Sequence, residues 1–241
     1  MKKIFILSIA AAATLSSCDI LMEAAKSLAP STAEIASGLK EALVKGVSNG
    51  TTALNQPGAF LKNAALKILM PPEVRDVETK LRAVGLDGPV DKCIAALNEG
   101  AENAMGKASP IFISAIKNMS ISDAMGILKG NNVAATEYLK AQTTSSLITA
   151  FKPEIKASLD KVGATKYWTD IFSLYNKIPF VDKKVETDLN QYVSVKGTTA
   201  LFGEIAKQET AIRTNVSERT SDLLKKVFNY ADATRTGYAR P

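Results

Sequence analysis

The sequence contains no histidine among its 241 residues. Histidine is the only side chain whose ordinary pKa lies near neutrality, and it is the commonest general base and metal ligand. Its absence excludes triads of the Ser-His-Asp type and metal sites built on imidazole. Asp123, Asp182 and Asp188 have a spacing that fits no known cation-binding loop, and Ser145-Ser146 lacks the flanking glycines of a nucleophile elbow. We therefore expect no catalytic residues, no metal, no cofactor and no enzymatic activity.

Patterns that predict a sheet are also missing. No run of alternating apolar and polar residues is long enough to build one, and aromatic residues make up only 6% of the chain. Apolar residues recur instead at helical spacing, in segments closed by glycine or proline. The sequence therefore predicts an all-α fold, a single compact bundle of about eight to ten helices spanning residues 31–231, with a loose tail at 232–241.

Cysteine occurs only twice, at Cys18 and Cys93. Cys93 follows Val90 and Asp91 in a helical pattern, has no histidine near it in the sequence, and is expected to be a buried, unreactive thiol.

The N-terminus carries a secretion signal. Lys2 and Lys3 form a basic start, and about a dozen apolar residues follow from Ile4 to Leu15, a length typical of a signal sequence and too short for a stable membrane span. The formal net charge of +6 falls by two when this segment is removed. The remaining lysines and arginines are dispersed among acidic residues, so no nucleic-acid partner is expected.

Leu15-Ser16-Ser17-Cys18 resembles a bacterial lipobox, in which a branched apolar residue and two small residues precede the modified cysteine. The resemblance implies that residues 1–17 are removed, that Cys18 receives a diacylglyceryl group, and that its new amino terminus is acylated. Each buried methylene contributes about 0.8 kcal/mol, and two or more chains anchor stably. An ordinary signal peptide cut near Ala13, which would leave Cys18 as a free thiol, is the alternative.

The lipobox indicates a location as well as an anchor. We expect a chain held to the bilayer through Cys18 and a tether over residues 18–30, facing the periplasm in the cell envelope. Asp19 resembles the residue that retains some lipoproteins on the inner membrane, although the lipobox alone leaves the choice of membrane open.

Two capping boxes mark helix starts. Ser31 precedes Glu34 by three residues, and Ser120 precedes Asp123 by three, so each hydroxyl can accept the backbone N–H of the acid while the acid accepts that of the serine. Further helices are predicted to start at Thr144 or Ser145 and at Thr198.

The mature sequence also resembles, over nearly its whole length, a family of bacterial exported proteins, the domain of unknown function 4197 family. The matching stretches are short paired runs that keep their order along the chain: Leu39-Lys40-Glu41-Ala42-Leu43 with Gly46, Asn98 with Ala101-Glu102, Asp123-Ala124 with Ile127-Leu128 and Gly130, Ala134-Ala135-Thr136 with Tyr138, Glu209 with Ile212-Arg213, and Leu223-Leu224-Lys225-Lys226-Val227-Phe228. The resemblance implies an envelope location and an all-helical fold, and it implies no activity. Glu99 and Gly100 stand where the family tends to have Arg and Ala.

Four polar residues interrupt otherwise apolar helix faces: Asn98, Glu102, Glu209 and Arg213. A structural network is one interpretation, in which Arg213 pairs with Glu102 or Glu209 and fixes how two helices meet. A ligand site is the other.

Aromatic residues cluster in one segment: Tyr167, Trp168, Phe172 and Tyr175. Such a set most often belongs to a core, and it can also line an apolar pocket or meet a membrane interface.

Together these features predict a non-enzymatic envelope lipoprotein that works by interaction or scaffolding with an envelope protein partner. The alternative is a helical module that binds a lipid or another apolar small molecule. A closed apolar cavity of several hundred cubic ångströms would favour the second function, and a solid core with an exposed apolar patch would favour the first.

Overall fold

The computed structural model describes residues 29–166, Trp168 and residues 188–235. Eight α-helices lie within this part of the chain: α1 Thr32–Leu54, α2 Arg75–Ala83, α3 Asp87–Met105, α4 Ala108–Asn118, α5 Ile121–Lys129, α6 Ala134–Asp160, α7 Leu189–Thr214 and α8 Asp222–Arg235. Short 3₁₀ turns at Pro72–Val74 and Val216–Glu218 precede α2 and α8. The described residues contain no strand, and the predicted all-α fold is confirmed.

Several predicted features lie outside the described residues. They are the signal peptide with Leu15, Ser16 and Ser17, the acylated Cys18 with Asp19, the aromatic residues Tyr167, Phe172 and Tyr175, and the end of the tail from residue 236.

Both predicted capping boxes are present. Ser31 Oγ accepts the N–H of Glu34 at 3.2 Å, and Glu34 Oε2 accepts the N–H of Ser31 at 2.8 Å. Ser120 and Asp123 repeat the arrangement at the start of α5. Glu34 also accepts a hydrogen bond of 2.7 Å from Lys226 on α8, and these contacts, led by that from Lys226, lower the pKa of Glu34 to about 2.

The predicted helix start at Thr144 or Ser145 is wrong, since α6 is continuous through this point and through Pro153. The hydroxyl of Thr144 bonds backward within the helix, as does that of the neighbouring Thr143. Thr143 and Thr144 each donate at 2.6 Å to the carbonyl four residues earlier, at Leu139 and Lys140. A hydroxyl that bonds back to the carbonyl four residues earlier is accommodated inside a helix at a small cost in stability, so it does not mark a helix start.

The predicted division of the next segment before Thr198 is also wrong, because α7 runs unbroken through Gly197. Gly197 is a point of close approach between helices. A Cβ atom there would lie 3.3 Å from Met105 Cε and 3.7 Å from Ala101 Cβ on α3.

The last helix extends to Arg235, beyond the predicted start of a loose tail at residue 232. Asp232 accounts for part of this extension, because its carboxylate lies 2.8 Å from the buried guanidinium of Arg219.

The core lies among the four long helices α1, α3, α6 and α7, with α6 packed along both α3 and α7. Leu97, Leu147 and Leu201 are fully buried there, and Phe112 meets Phe202 edge to face at 5.8 Å. Helix α2 differs from all the others, because it has no buried residue.

Within the described residues, no single helix is long and apolar enough to cross a membrane. A bent pair, Asp87–Asn118 with Ile121–Lys129 at 104°, meets the length and composition criteria only when its two parts are taken together.

Gly38 provides a test of how closely α1 and α8 approach. An alanine Cβ at this position would lie 2.8 Å from Val227 Cγ2, so Gly38→Ala should reduce the free energy of unfolding by about 1–3 kcal/mol in a urea titration. Gly203→Ala is the matched control, because a Cβ there has nothing within 4 Å. It should stabilise α7 by up to about 1 kcal/mol through helix propensity. Equal effects of the two substitutions would contradict this packing.

Candidate functional site

The four polar residues singled out in the sequence form two pairs, each one helical turn apart. Asn98 and Glu102 lie on α3, and Glu209 and Arg213 lie on α7. All four are buried, so each polar atom needs a partner. The structure places Arg213 against Glu209, while Glu102 bonds the backbone of a different segment.

Asn98 binds the chain between α1 and α2. The N–H of Ile68 donates to Asn98 Oδ1 at 2.8 Å, and Asn98 Nδ2 donates to the carbonyl of Ile68 at 2.9 Å. This reciprocal pair fixes an extended segment onto α3.

Glu102 fixes the same connection four residues further along α3. Its carboxylate accepts the N–H of Gly58 at 2.9 Å and that of Phe60 at 3.0 Å. Both donors belong to the turn that follows α1, and Phe60 is fully buried.

Glu209 and Arg213 join the ends of two other helices. Glu209 accepts the N–H groups of Ala135 at 3.0 Å and Thr136 at 2.8 Å, the first turn of α6. Arg213 donates to the carbonyls of Ile127 at 2.9 Å and Leu128 at 3.3 Å, the last turn of α5, and lies 2.9 Å from Glu209. Each charge therefore meets the helix end of opposite partial charge and satisfies groups that the helix leaves free.

The concavity beside this pair has a volume of about 20 Å³, room for about one water molecule. A ligand therefore has no space beside Glu209 and Arg213. This geometry favours the structural interpretation over the ligand site.

Arg219 was missed by the sequence analysis, although it is 1% exposed. It donates to the carbonyls of Ile212 at 3.1 Å and Arg213 at 2.8 Å, and to Asn229 Oδ1 at 2.7 Å. It lies in the turn between α7 and α8, where no helical periodicity marks a residue as buried.

An open apolar groove of about 570 Å³ lies between α2, the first half of α3 and the chain that follows α6. We call it the α2–α3 groove. Val74 and Val90, each 3% exposed, lie at its floor with Trp168. Its volume is within the range of small-molecule sites, about 300–1,000 Å³.

One face of α2 forms a wall of this groove. Val77 and Leu81 lie one turn apart on α2 and line it, together with Val74 from the preceding 3₁₀ turn. Val77 and Leu81 remain 42% and 37% exposed. An amphipathic helix normally buries its apolar face against a neighbour, whereas α2 turns this face toward an open concavity.

Exposed ion pairs connect α2 to α3. Arg82 lies 3.0 Å from Glu78, 3.3 Å from Asp87 and 2.8 Å from Asp91. Hydrogen bonds, led by that to Asp91, raise the pKa of Arg82 above its ordinary value. Exposed pairs of this kind contribute little to stability, so α2 is weakly attached to α3.

Trp168 is the one member of the predicted aromatic patch that the structure describes. It is buried, packs with the core and lines the α2–α3 groove. It is also the only tryptophan of the chain.

Cys93 is half-buried in the same groove. Burial, with a smaller contribution from the negative charge of Glu78, raises the pKa of its thiol to about 11.

Two of the three aspartates considered as metal ligands take part in helix capping. Asp123 Oδ2 accepts the N–H of Ser120 at 3.0 Å in the capping box of α5, and Asp188 Oδ1 accepts the N–H of Gln191 at 3.0 Å at the start of α7. Asp182 lies outside the described residues. Within the described part of the chain, no three acidic or cysteine side chains converge on one point.

Comparison with known proteins identifies a family. A family model described as "Protein of unknown function (DUF4197)" matches residues 29–229. No curated protein and no solved structure matches the chain.

Removing the Glu209 carboxylate should strongly destabilise the fold. Glu209→Ala leaves the guanidinium of Arg213 and the first N–H groups of α6 without their acceptor, so we expect a loss on the order of 3–5 kcal/mol in urea unfolding. Glu99→Ala is the control, because Glu99 forms an exposed ion pair with Lys161 at 3.3 Å. This substitution should lower the free energy of unfolding by less than about 1 kcal/mol. A Glu209 variant no less stable than the control would disprove the structural role.

Cys93 should react slowly with alkylating reagents. With a pKa of about 11, its thiolate fraction at pH 8.5 is roughly two orders of magnitude below that of an ordinary thiol. In a Cys18→Ser protein, the rate of iodoacetamide alkylation should rise about tenfold per pH unit from 7.5 to 9.5 without levelling off. The urea-unfolded chain is the control and should level off near pH 9. A plateau in the folded protein would contradict the raised pKa.

Proposed function

The chain belongs to the DUF4197 family, whose function is unknown, and we propose that this member is a non-enzymatic, lipid-anchored envelope protein that binds an apolar molecule in its α2–α3 groove. The observation that carries the proposal is the groove itself. It offers about 570 Å³ between apolar walls, while α2 leaves Val77 and Leu81 uncovered.

The anchor is supported by the sequence. The basic start, the apolar run and Leu15-Ser16-Ser17-Cys18 occur in the order of a lipoprotein signal. Acyl chains on Cys18 would hold the bundle at the bilayer surface on the periplasmic side, and Asp19 favours the inner membrane. A groove close to a bilayer has access to apolar molecules that are scarce in water.

The groove has one feature of a small-molecule site and one of a protein-docking surface. Its volume is that of a ligand site, but it is open, and apolar residues continue beyond it. Val84 is 72% exposed and Leu86 is 42% exposed in the turn between α2 and α3.

These exposed residues favour a second candidate function, an interaction or scaffolding protein that docks an apolar helix of an envelope protein. A photo-crosslinking residue at Val84, with one at Val195 as the control, tests it. One defined adduct from Val84 alone would support the second candidate, and equal patterns from the two sites would argue against it.

Replacing the sulfur of Cys18 tests the anchor. Cys18→Ser removes the thiol that accepts the diacylglyceryl group, so the protein should leave the membrane fraction and lose the mass of its acyl chains. Fractionation and intact-mass spectrometry check both outcomes, and Cys93→Ser is the control that should remain anchored. A Cys18→Ser protein that stays with membranes at unchanged mass would contradict the proposal.

An uncharged apolar dye tests the groove. N-phenyl-1-naphthylamine should bind the Cys18→Ser protein saturably and accept energy from Trp168. Leu81→Asp places a carboxylate on the groove wall and should weaken binding at least about tenfold, because a charge loses hydration in an apolar site.

Val195→Asp is the matched control, since Val195 is similarly exposed on a helix and does not line the groove. Circular dichroism should show that both variants remain folded. Unchanged dye binding in Leu81→Asp would disprove the assignment of the groove.

A further inference from the structure

We infer that the α2–α3 groove is a site for a long-chain fatty acid, with the aliphatic chain inside the groove and the carboxylate at Lys92. The inference rests on the proposed function, because it requires that the groove bind an apolar molecule. It adds the chemical class of that molecule and the residue that recognises its charged end.

The interior of the groove suits an aliphatic chain. Val74, Val90 and Trp168 form its floor, and Val77 and Leu81 line one wall. Pro89 and Val162 also line it. Burial of a chain against such surfaces gains roughly 0.8 kcal/mol per methylene, and the aliphatic side chains present no hydrogen-bonding group that the chain would leave unsatisfied.

The charged side chains around the groove select the head group. Three of them line it, namely Glu78, Lys92 and Lys161. Glu78 lies 3.0 Å from Arg82, and Lys161 lies 3.3 Å from Glu99. Both of these charges are therefore already paired with a neighbour.

Lys92 differs from the other two. It is exposed on the first half of α3, and no carboxylate within the described part of the chain lies close enough to form an ion pair with it. Its neighbours one turn away along the helix are Gly88, Pro89, Ala95 and Ala96, which carry no charge. One unpaired ammonium group at the edge of an apolar groove matches one carboxylate on an aliphatic chain, because charge-assisted hydrogen bonds are the stronger ones.

Phosphate-bearing lipids fit this arrangement less well. Arg and paired cations suit the several oxygens of a phosphate, whereas a lysine acts as a point charge. Among the described residues, the groove presents one lysine without an ion-pair partner, so we assign the groove to the singly charged carboxylate.

Trp168 fluorescence provides the test, because the only tryptophan of the chain lines the groove. The full chain with Cys18→Ser is titrated with dodecanoate, dodecanol and dodecyltrimethylammonium below their micelle concentrations. These probes share a chain length and differ in the charge of the head group. Dodecanoate should shift the emission saturably and bind at least about tenfold more tightly than the other two, the scale of one hydrogen bond to a charged group.

Charge reversal at the proposed recognition residue completes the test. Lys92→Glu should weaken the binding of dodecanoate at least about tenfold and strengthen the binding of dodecyltrimethylammonium, while the affinity for dodecanol stays unchanged. Lys140→Glu is the matched control. Lys140 is an exposed lysine on α6, about 30 Å from the end of that helix at the groove, so its replacement should change the affinity for none of the three probes.

The outcomes separate the inference from the proposed function. Equal affinities for dodecanoate and dodecanol, or no effect of Lys92→Glu, would overturn the fatty-acid assignment while the uncharged dye still bound. Tighter binding of a lysophosphatidic acid than of the fatty acid would also overturn it, in favour of a phosphate head group. A groove already filled by the chain itself would bind neither the dye nor dodecanoate, and that result would overturn both proposals.

Discussion

Helix ends impose the main constraint on this bundle. A helix leaves four N–H groups and four carbonyls without internal partners, and burial of those groups is costly unless something binds them. Glu209 and Arg213 meet this need for two helices at once, since the carboxylate binds the start of α6 and the guanidinium binds the end of α5. Asn98, Glu102 and Arg219 bind backbone groups of other connections in the same way. These five buried polar residues thus bind the chain's own backbone, and a ligand or partner must be bound by another part of the molecule.

The α2–α3 groove is that part. Elsewhere each helix buries an apolar face, but α2 buries none of its residues and is attached through exposed ion pairs at Arg82. A surface of this kind costs free energy while it is exposed to water, so a protein that keeps one has a use for it. Among the described residues that line the groove, Lys92 is the charged side chain without an ion-pair partner. The groove volume, the aliphatic walls and this ammonium group together favour an amphiphile with one negative charge.

The sequence predicted the fold class and the features that depend on local chemistry. The capping boxes at Ser31 and Ser120 depend on residues three positions apart, and such short-range contacts can be inferred without a structure. The predicted helix breaks at Thr144 and before Thr198 were wrong, because both positions lie inside continuous, packed helices. The Thr144 hydroxyl donates to a carbonyl of its own helix, and Gly197 leaves space for the side chain of Met105 on α3. The burial of Arg219 could not be predicted from the sequence, because its turn becomes buried only where two helices meet. The groove is likewise formed by segments distant in the sequence, and Val77 and Leu81 alone gave no sign that their helical face would lack a partner.

The most direct test of the central claim is the content of the groove in the protein as cells make it. The native protein and its Leu81→Asp variant would be purified in equal amounts from the cells that make them, and the organic extract of each would be measured by mass spectrometry. Our account predicts that a fatty acid accompanies the native protein in near-stoichiometric amount and is depleted in the variant. Equal amounts in both, or no apolar molecule beyond those in a mock purification, would contradict it.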